Sequence, residues 1–111
     1  MKSGVKIRDI RVGSGVLAER ASLVRVRYDA SLNRGVTIQK DITCSFRLGR
    51  REVIAGLEYG VEGMRVGGIR RITVSPHLGY RDAGVPGLIP PNAVLIFDLE
   101  LLDVSEPPPD G

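Results

Sequence analysis

The 111 residues predict an α+β domain, an antiparallel sheet of about five strands packed on one short helix. Three observations carry that prediction. Short stretches of apolar/polar alternation recur along the chain, and only one stretch follows helical spacing. A long loop rich in proline and glycine then runs straight into a strongly apolar final segment.

The elements follow in order. Val5 to Ile10 reads as a short strand ending near the turn-forming Gly13-Ser14-Gly15. In Leu23 to Tyr28, Val24, Val26 and Tyr28 point one way and Arg25 and Arg27 the other, as in a strand. Leu32-Asn33-Arg34-Gly35 marks a hairpin turn, and Val36 to Gln39 continues beyond it. Ile42, Cys44, Phe46 and Leu48 alternate with Thr43, Ser45 and Arg47, a half-buried strand with Phe46 facing in. Between Arg50 and Met64, the residues Val53, Ile54, Leu57, Val61 and Met64 form one helical stripe. Gly56 and Gly60 interrupt it, each at about 1 kcal/mol relative to alanine. A short helix held by packing rather than propensity is therefore expected. Arg71 to Val74 is another strand.

From Ser75 the chain enters a loop of about seventeen residues, against a usual four to six. Its prolines and glycines set turns, yet Leu78, Tyr80, Val85, Leu88 and Ile89 are too apolar to hang in water. An ordered loop folded over a ligand site is the reading. Ala93 to Leu102, nearly all apolar at its start, reads as a strand buried on both faces. Residues 1–104 thus form a single domain, and the polar, proline-rich 105–111 is expected to be a disordered tail.

Composition narrows the function. One cysteine, Cys44, excludes an internal disulfide and fits a reducing compartment. No apolar h-region follows Met1-Lys2, and no stretch approaches the roughly 18 apolar residues of a membrane span, so a cytoplasmic monomer is expected. The net charge of +3 is a weak pointer to anionic partners, and Arg50, Arg51, Arg65, Arg70 and Arg71 lack the interleaved aromatics of a nucleic-acid groove. His77 is the only histidine, so neither a histidine-pair metal site nor a catalytic triad assembles around a second one. Asp98 and Glu100 share a strand face without any mark of an acid/base couple, and no cofactor motif is present. What remains is an apolar concavity to which Tyr28, Phe46, Val53, Ile54, Leu57, Tyr80, Ile89 and Phe97 contribute from different elements.

Phe46-Arg47-Leu48-Gly49, Val53 to Gly60, Ser75-Pro76 to Tyr80, and Gly84-Val85-Pro86-Gly87-Leu88-Ile89-Pro90-Pro91-Asn92-Ala93 to Asp98 run in one order and spacing. In these segments the chain resembles the FKBP-type peptidyl-prolyl cis–trans isomerases, over about Ser22 to Val104. The resemblance implies a bent sheet wrapped around the helix, with a shallow apolar pocket for a proline ring between them. It implies that Tyr80 donates its hydroxyl to a ligand carbonyl, that Ile54 offers a backbone N–H, and that Phe97 and Phe46 form walls. Tyr28, Ile38, Val53, Leu57, Val85, Leu88 and Ile89 complete the expected pocket.

The chain departs from the family at several points. Ile38-Gln39 stands where an aromatic followed by aspartate is usual, Leu57 replaces the tryptophan of the floor, and Val85 a frequent histidine. The segment from Gln39 to Phe46 is also short. The implied activity is isomerisation of Xaa-Pro bonds in client chains, weak to moderate, with weakened binding of macrolide inhibitors. The alternative is a module that holds proline-containing or unfolded segments without catalysis, as a chaperone does.

Overall fold

In the computed structural model, residues 4–105 are described. Five strands, β1 (Val5–Arg11), β2 (Leu23–Leu32), β3 (Thr37–Arg47), β4 (Ile69–Val74) and β5 (Leu95–Ser105), form one sheet of order β1-β4-β5-β2-β3. Every pairing is antiparallel. The helix α1 (Ala55–Val61) lies between β3 and β4 in the chain, and a short 3₁₀ turn, Pro76–Leu78, begins the long loop. The α+β architecture expected from the sequence is the one observed.

The sheet bends where its register slips. Tyr28 faces Ile42, but Ala30 faces Gln39, so Lys40 and Asp41 are accommodated on the β3 side. Asp41 takes a left-handed φ of 56°, and its N–H donates to Asp29 Oδ1 at 2.7 Å. This bulge joins the two segments that the sequence suggests on either side of Lys40-Asp41 into one bent strand. Further irregularities, at Asp9/Arg11 in β1 and Arg25/Val26 in β2, add to the curvature.

The last strand differs from its expected two-sided burial. Leu95, Phe97, Leu99 and Leu101 are buried, whereas Ile96, Asp98, Glu100 and Leu102 are half-buried. Although β5 is the central strand, only one face of the sheet meets the core, so its apolar residues divide by parity. Ser105, expected to open the tail, instead closes β5 opposite Leu23, because β2 offers it a partner. Residues 106–111 lie outside the described ones.

The helix is shorter than its apolar stripe. Glu58 Oε2 accepts the N–H groups of Gly49 and Arg51, and Glu52 accepts that of Arg47. With Arg51 at a φ of +57°, those carboxylates hold residues 47–52 in turns, and Ile54 becomes the N-cap. A seven-residue helix is marginal alone, and packing explains it: Leu57 and Val61 are buried in the core. The two glycines acquire a reason as well. A Cβ at Gly56 would run into the Val74 side chain, and one at Gly60 would lie 2.5 Å from Ile72 Cδ1. Four residues apart, they clear one helix face for close approach to β4.

Candidate functional site

Helix, sheet and loop meet at a hollow of about 160 Å³. Its lining comes from five places: Tyr28 and Ala30 of β2, Ile38 and Gln39 of β3, the turn Glu52-Val53-Ile54 with Leu57 of α1, Tyr80 and Ile89 of the loop, and Leu95 and Phe97 of β5. The base is apolar and buried: Ala30, Leu57, Leu95 and Phe97 are each at most 4% exposed. A cavity of about 150 Å³ lined by leucine, isoleucine and phenylalanine accommodates benzene, so the space suits one small ring.

Two aromatic residues define its shape. The Tyr28 and Phe97 rings meet edge to face, centroids 5.4 Å apart and 70° between planes, which fits the ring quadrupoles. The Tyr28 hydroxyl donates to Gln39 Oε1 at 3.3 Å, so the amide serves as acceptor at the position where the family usually has aspartate. Burial, followed by the neighbouring Cys44 and Tyr80, pushes the Tyr28 hydroxyl above its ordinary pKa. Burial also raises the Cys44 thiol, in line with an unreactive side chain.

The loop over the hollow is tied down by its own backbone. Gly84 N–H donates to Tyr80 O at 2.9 Å, Val85 and Ile89 exchange a pair of bonds at 2.8 Å, and Asn92 N–H donates to Arg81 O at 2.8 Å. At Gly84 φ is +61° and a Cβ would strike the Ile89 carbonyl, so glycine is needed there. Tyr80 therefore hangs from an ordered support while staying 38% exposed.

Of the residues singled out from the sequence, Tyr28, Ile38, Val53, Ile54, Leu57, Tyr80, Ile89 and Phe97 line this hollow. Phe46, Val85 and Leu88 do not. Phe46 is 1% exposed and belongs to the core, because it faces Val24 on the inner side of the sheet. Val85 is half-buried in its bridge to Ile89, and Leu88, at the tip between them, is 45% exposed and faces another groove. Ala30, Glu52 and Leu95 line the hollow without having been anticipated. Leu95 was legible as the next residue of Phe97's parity, whereas Ala30 and Glu52 carry no signal of their own.

Charge is concentrated elsewhere. A larger hollow of about 430 Å³ on the outer sheet face is lined by Arg27, Asp29, Lys40, Asp41, Asp98 and Glu100 among others, a solvated setting. There Arg71 clasps Asp98 through bonds of 2.7 and 3.2 Å, and Arg27 holds Glu100 at 2.7 Å. Those carboxylates are thus ion-paired away from the apolar hollow. Arg70 is likewise taken up by Asp9 and by the carbonyls of Gly60 and Glu62. His77 is exposed on the 3₁₀ turn and does not line the hollow. Among the described residues, no three His, Cys, Asp or Glu side chains are grouped to hold a metal ion.

Comparison with known proteins adds the context. The family described as FKBP-type peptidyl-prolyl cis-trans isomerase matches residues 15–102. The chain is 45% identical over 105 residues to FK506-binding protein 4 of Neurospora crassa, covering 92% of this chain and 22% of that one. With FK506-binding protein 4 of Dictyostelium discoideum it shares 42% identity over 108 residues, or 96% and 30% of the respective chains. It thus spans between 22% and 30% of these curated relatives' length. The crystal structure of FkpA from Escherichia coli superposes with a TM-score of 0.82 at 35% identity, covering 96% of this chain and 54% of that one.

Proposed function

The chain belongs to the FKBP-type peptidyl-prolyl cis-trans isomerase family, and on that footing we propose that it accelerates rotation about Xaa-Pro bonds in client polypeptides. The observation that carries the reading is the hollow of about 160 Å³ with a buried apolar base, sized for a proline ring and lined by Leu57 and the Tyr28–Phe97 pair.

The mechanism follows from amide physics. Rotation must break resonance, at roughly 18–20 kcal/mol, and takes tens of seconds or longer unaided. The planar amide carries separated charge that water stabilises. The twisted amide has lost much of it, so an apolar setting penalises it less than the ground state, which is differential binding of the transition state. No covalent step and no proton transfer is involved. Among the lining residues only Glu52 is a carboxylate, and it is already engaged by the Arg47 N–H.

The polar groups orient the peptide. Tyr80, exposed at the rim, donates its hydroxyl to the substrate carbonyl. As N-cap, Ile54 has an amide outside the helix's own hydrogen-bond ladder, and its N–H is the second donor. FK506-type macrolides enter the same hollow, with affinity lowered by Leu57 and Gln39 in place of the usual tryptophan and aspartate.

The test is exchange spectroscopy on a Leu-Pro peptide with the protein in catalytic amount, together with backbone shift mapping. Faster cis–trans exchange with shifts at Ile54, Tyr80 and Phe97 is expected. Saturable binding at those signals without acceleration would instead identify a holding module.

A further inference from the structure

Ile89 is a wall shared by the hollow and a second one. That residue also lines a groove of about 510 Å³ between the β2–β3 turn and the loop, bordered by Val36, Pro86, Leu88 and Pro91. Leu32, Arg34, Pro90 and Pro91 carry it on into a further groove of about 340 Å³. Val36 and Leu88 are 48% and 45% exposed, so apolar surface stands open beside the proline site.

Backbone hydrogen bonds brace the walls. Leu32 and Val36 close the turn with a bond of 2.8 Å, Asn33 N–H donates to Val94 O at 3.0 Å, and Val85–Ile89 closes the opposite wall. Binding there costs little ordering of the protein. Among the described residues that line these grooves, the one charged side chain is Arg34, which forms no ion pair with any described residue, unlike Arg27, Arg70 and Arg71.

We propose that this groove is a second subsite for the same polypeptide, selecting chains in which an apolar residue and an adjacent carboxylate lie a few residues from the proline. Leu88 and Val36 take the apolar side chain, and Arg34 takes the carboxylate. The proposal rests on the reading of the hollow given above. Its physical basis is adjacency across the shared Ile89 wall, a largely apolar lining, and one guanidinium without an ion-pair partner at the edge. A substrate chain that reaches both places gains through linkage of two contacts rather than through either alone.

The experiment uses the full chain and a series of prolyl peptides in which a Leu-Glu pair is moved from one to four residues away on either side, each with a Leu-Gln control. At one placement the Glu peptide should bind roughly two- to fivefold tighter than its control at low salt, the scale of a surface ion pair. Signals of Val36 and Leu88 should then move together with Ile54, and the preference should shrink as salt is added. Arg34→Gln should erase it and Arg34→Glu should transfer it to a Leu-Lys peptide, while Leu88→Ser should weaken both members of the favoured pair.

If every Glu peptide matches its control while Ile54 and Phe97 still respond, the second subsite is refuted and the proline site stands. If no peptide moves Ile54, the proline site fails and this inference falls with it. A concentration-dependent dimer that covers Leu88 and resists peptide would also overturn it, by giving the groove to a second copy.

Discussion

Gly56→Ala separates intrinsic helix preference from packing, because the two point in opposite directions. In an isolated helix the change stabilises by about 1 kcal/mol. Here the new methyl meets Val74, which is fully buried and branched at Cβ, with Cγ2 at 2.8 Å on one side and Cγ1 nearer still. Overpacking of that kind typically costs about 1–3 kcal/mol. Taking about 2 kcal/mol and subtracting the propensity gain leaves a net loss of about 1 kcal/mol. For a chain of this length, that lowers Tm by about 4 °C.

Thermal and urea unfolding of the two proteins reads it directly. Adding Val74→Ala tests the cause, since the double variant should recover roughly 0.5–3 kcal/mol relative to the sum of the singles. The helix also carries Ile54 at its N-cap and Leu57 in the hollow, so Gly56→Ala should weaken prolyl-peptide binding as the helix is pushed from β4. A Gly56→Ala protein that melts at or above the parent temperature would refute the close-approach reasoning.

Tyr80→Phe should lower isomerase turnover by about two- to tenfold, the worth of one hydrogen bond, with little change in the urea midpoint because the ring is 38% exposed; unchanged turnover would remove Tyr80 from the mechanism. Asp98→Asn should shift stability by no more than about 1 kcal/mol, since the Arg71 pair is exposed, and should leave exchange rates unchanged. A large loss of activity there would restore the acid/base couple set aside above. For Tyr28 the folded state holds the phenolic proton above the ordinary value of 10.0, chiefly through burial. Its contribution is therefore fully present below about pH 10 and is lost as pH rises beyond it. Tyr28→Phe should flatten the alkaline fall of the urea midpoint, and an equally steep fall in both proteins would count against that assignment.

The residues themselves carried much of this domain. Period-two alternation around Val24, Val26, Phe46 and Ile72 located the strands, since a pleated backbone sends successive side chains to opposite faces. Resemblance to a known family places Tyr28, Ile54, Tyr80 and Phe97 in one pocket from motif order alone. These are properties of local pattern and of motif order, and a linear chain displays both.

Other features were settled only when separate segments met. Gly56 and Gly60 read as defects of a helix until Val74 and Ile72 of β4 stood against them. Phe46 and Phe97 looked equivalent, yet only Phe97 reaches the hollow, because the two belong to different strands of a curved sheet. Ala30 and Leu95 line the hollow together with Leu57, and that grouping exists only once β2, β5 and the helix are assembled. Spacing along a chain reports which face a side chain takes. Distances between faces depend on twist, bulges and neighbouring volumes, and those are decided by the assembled structure.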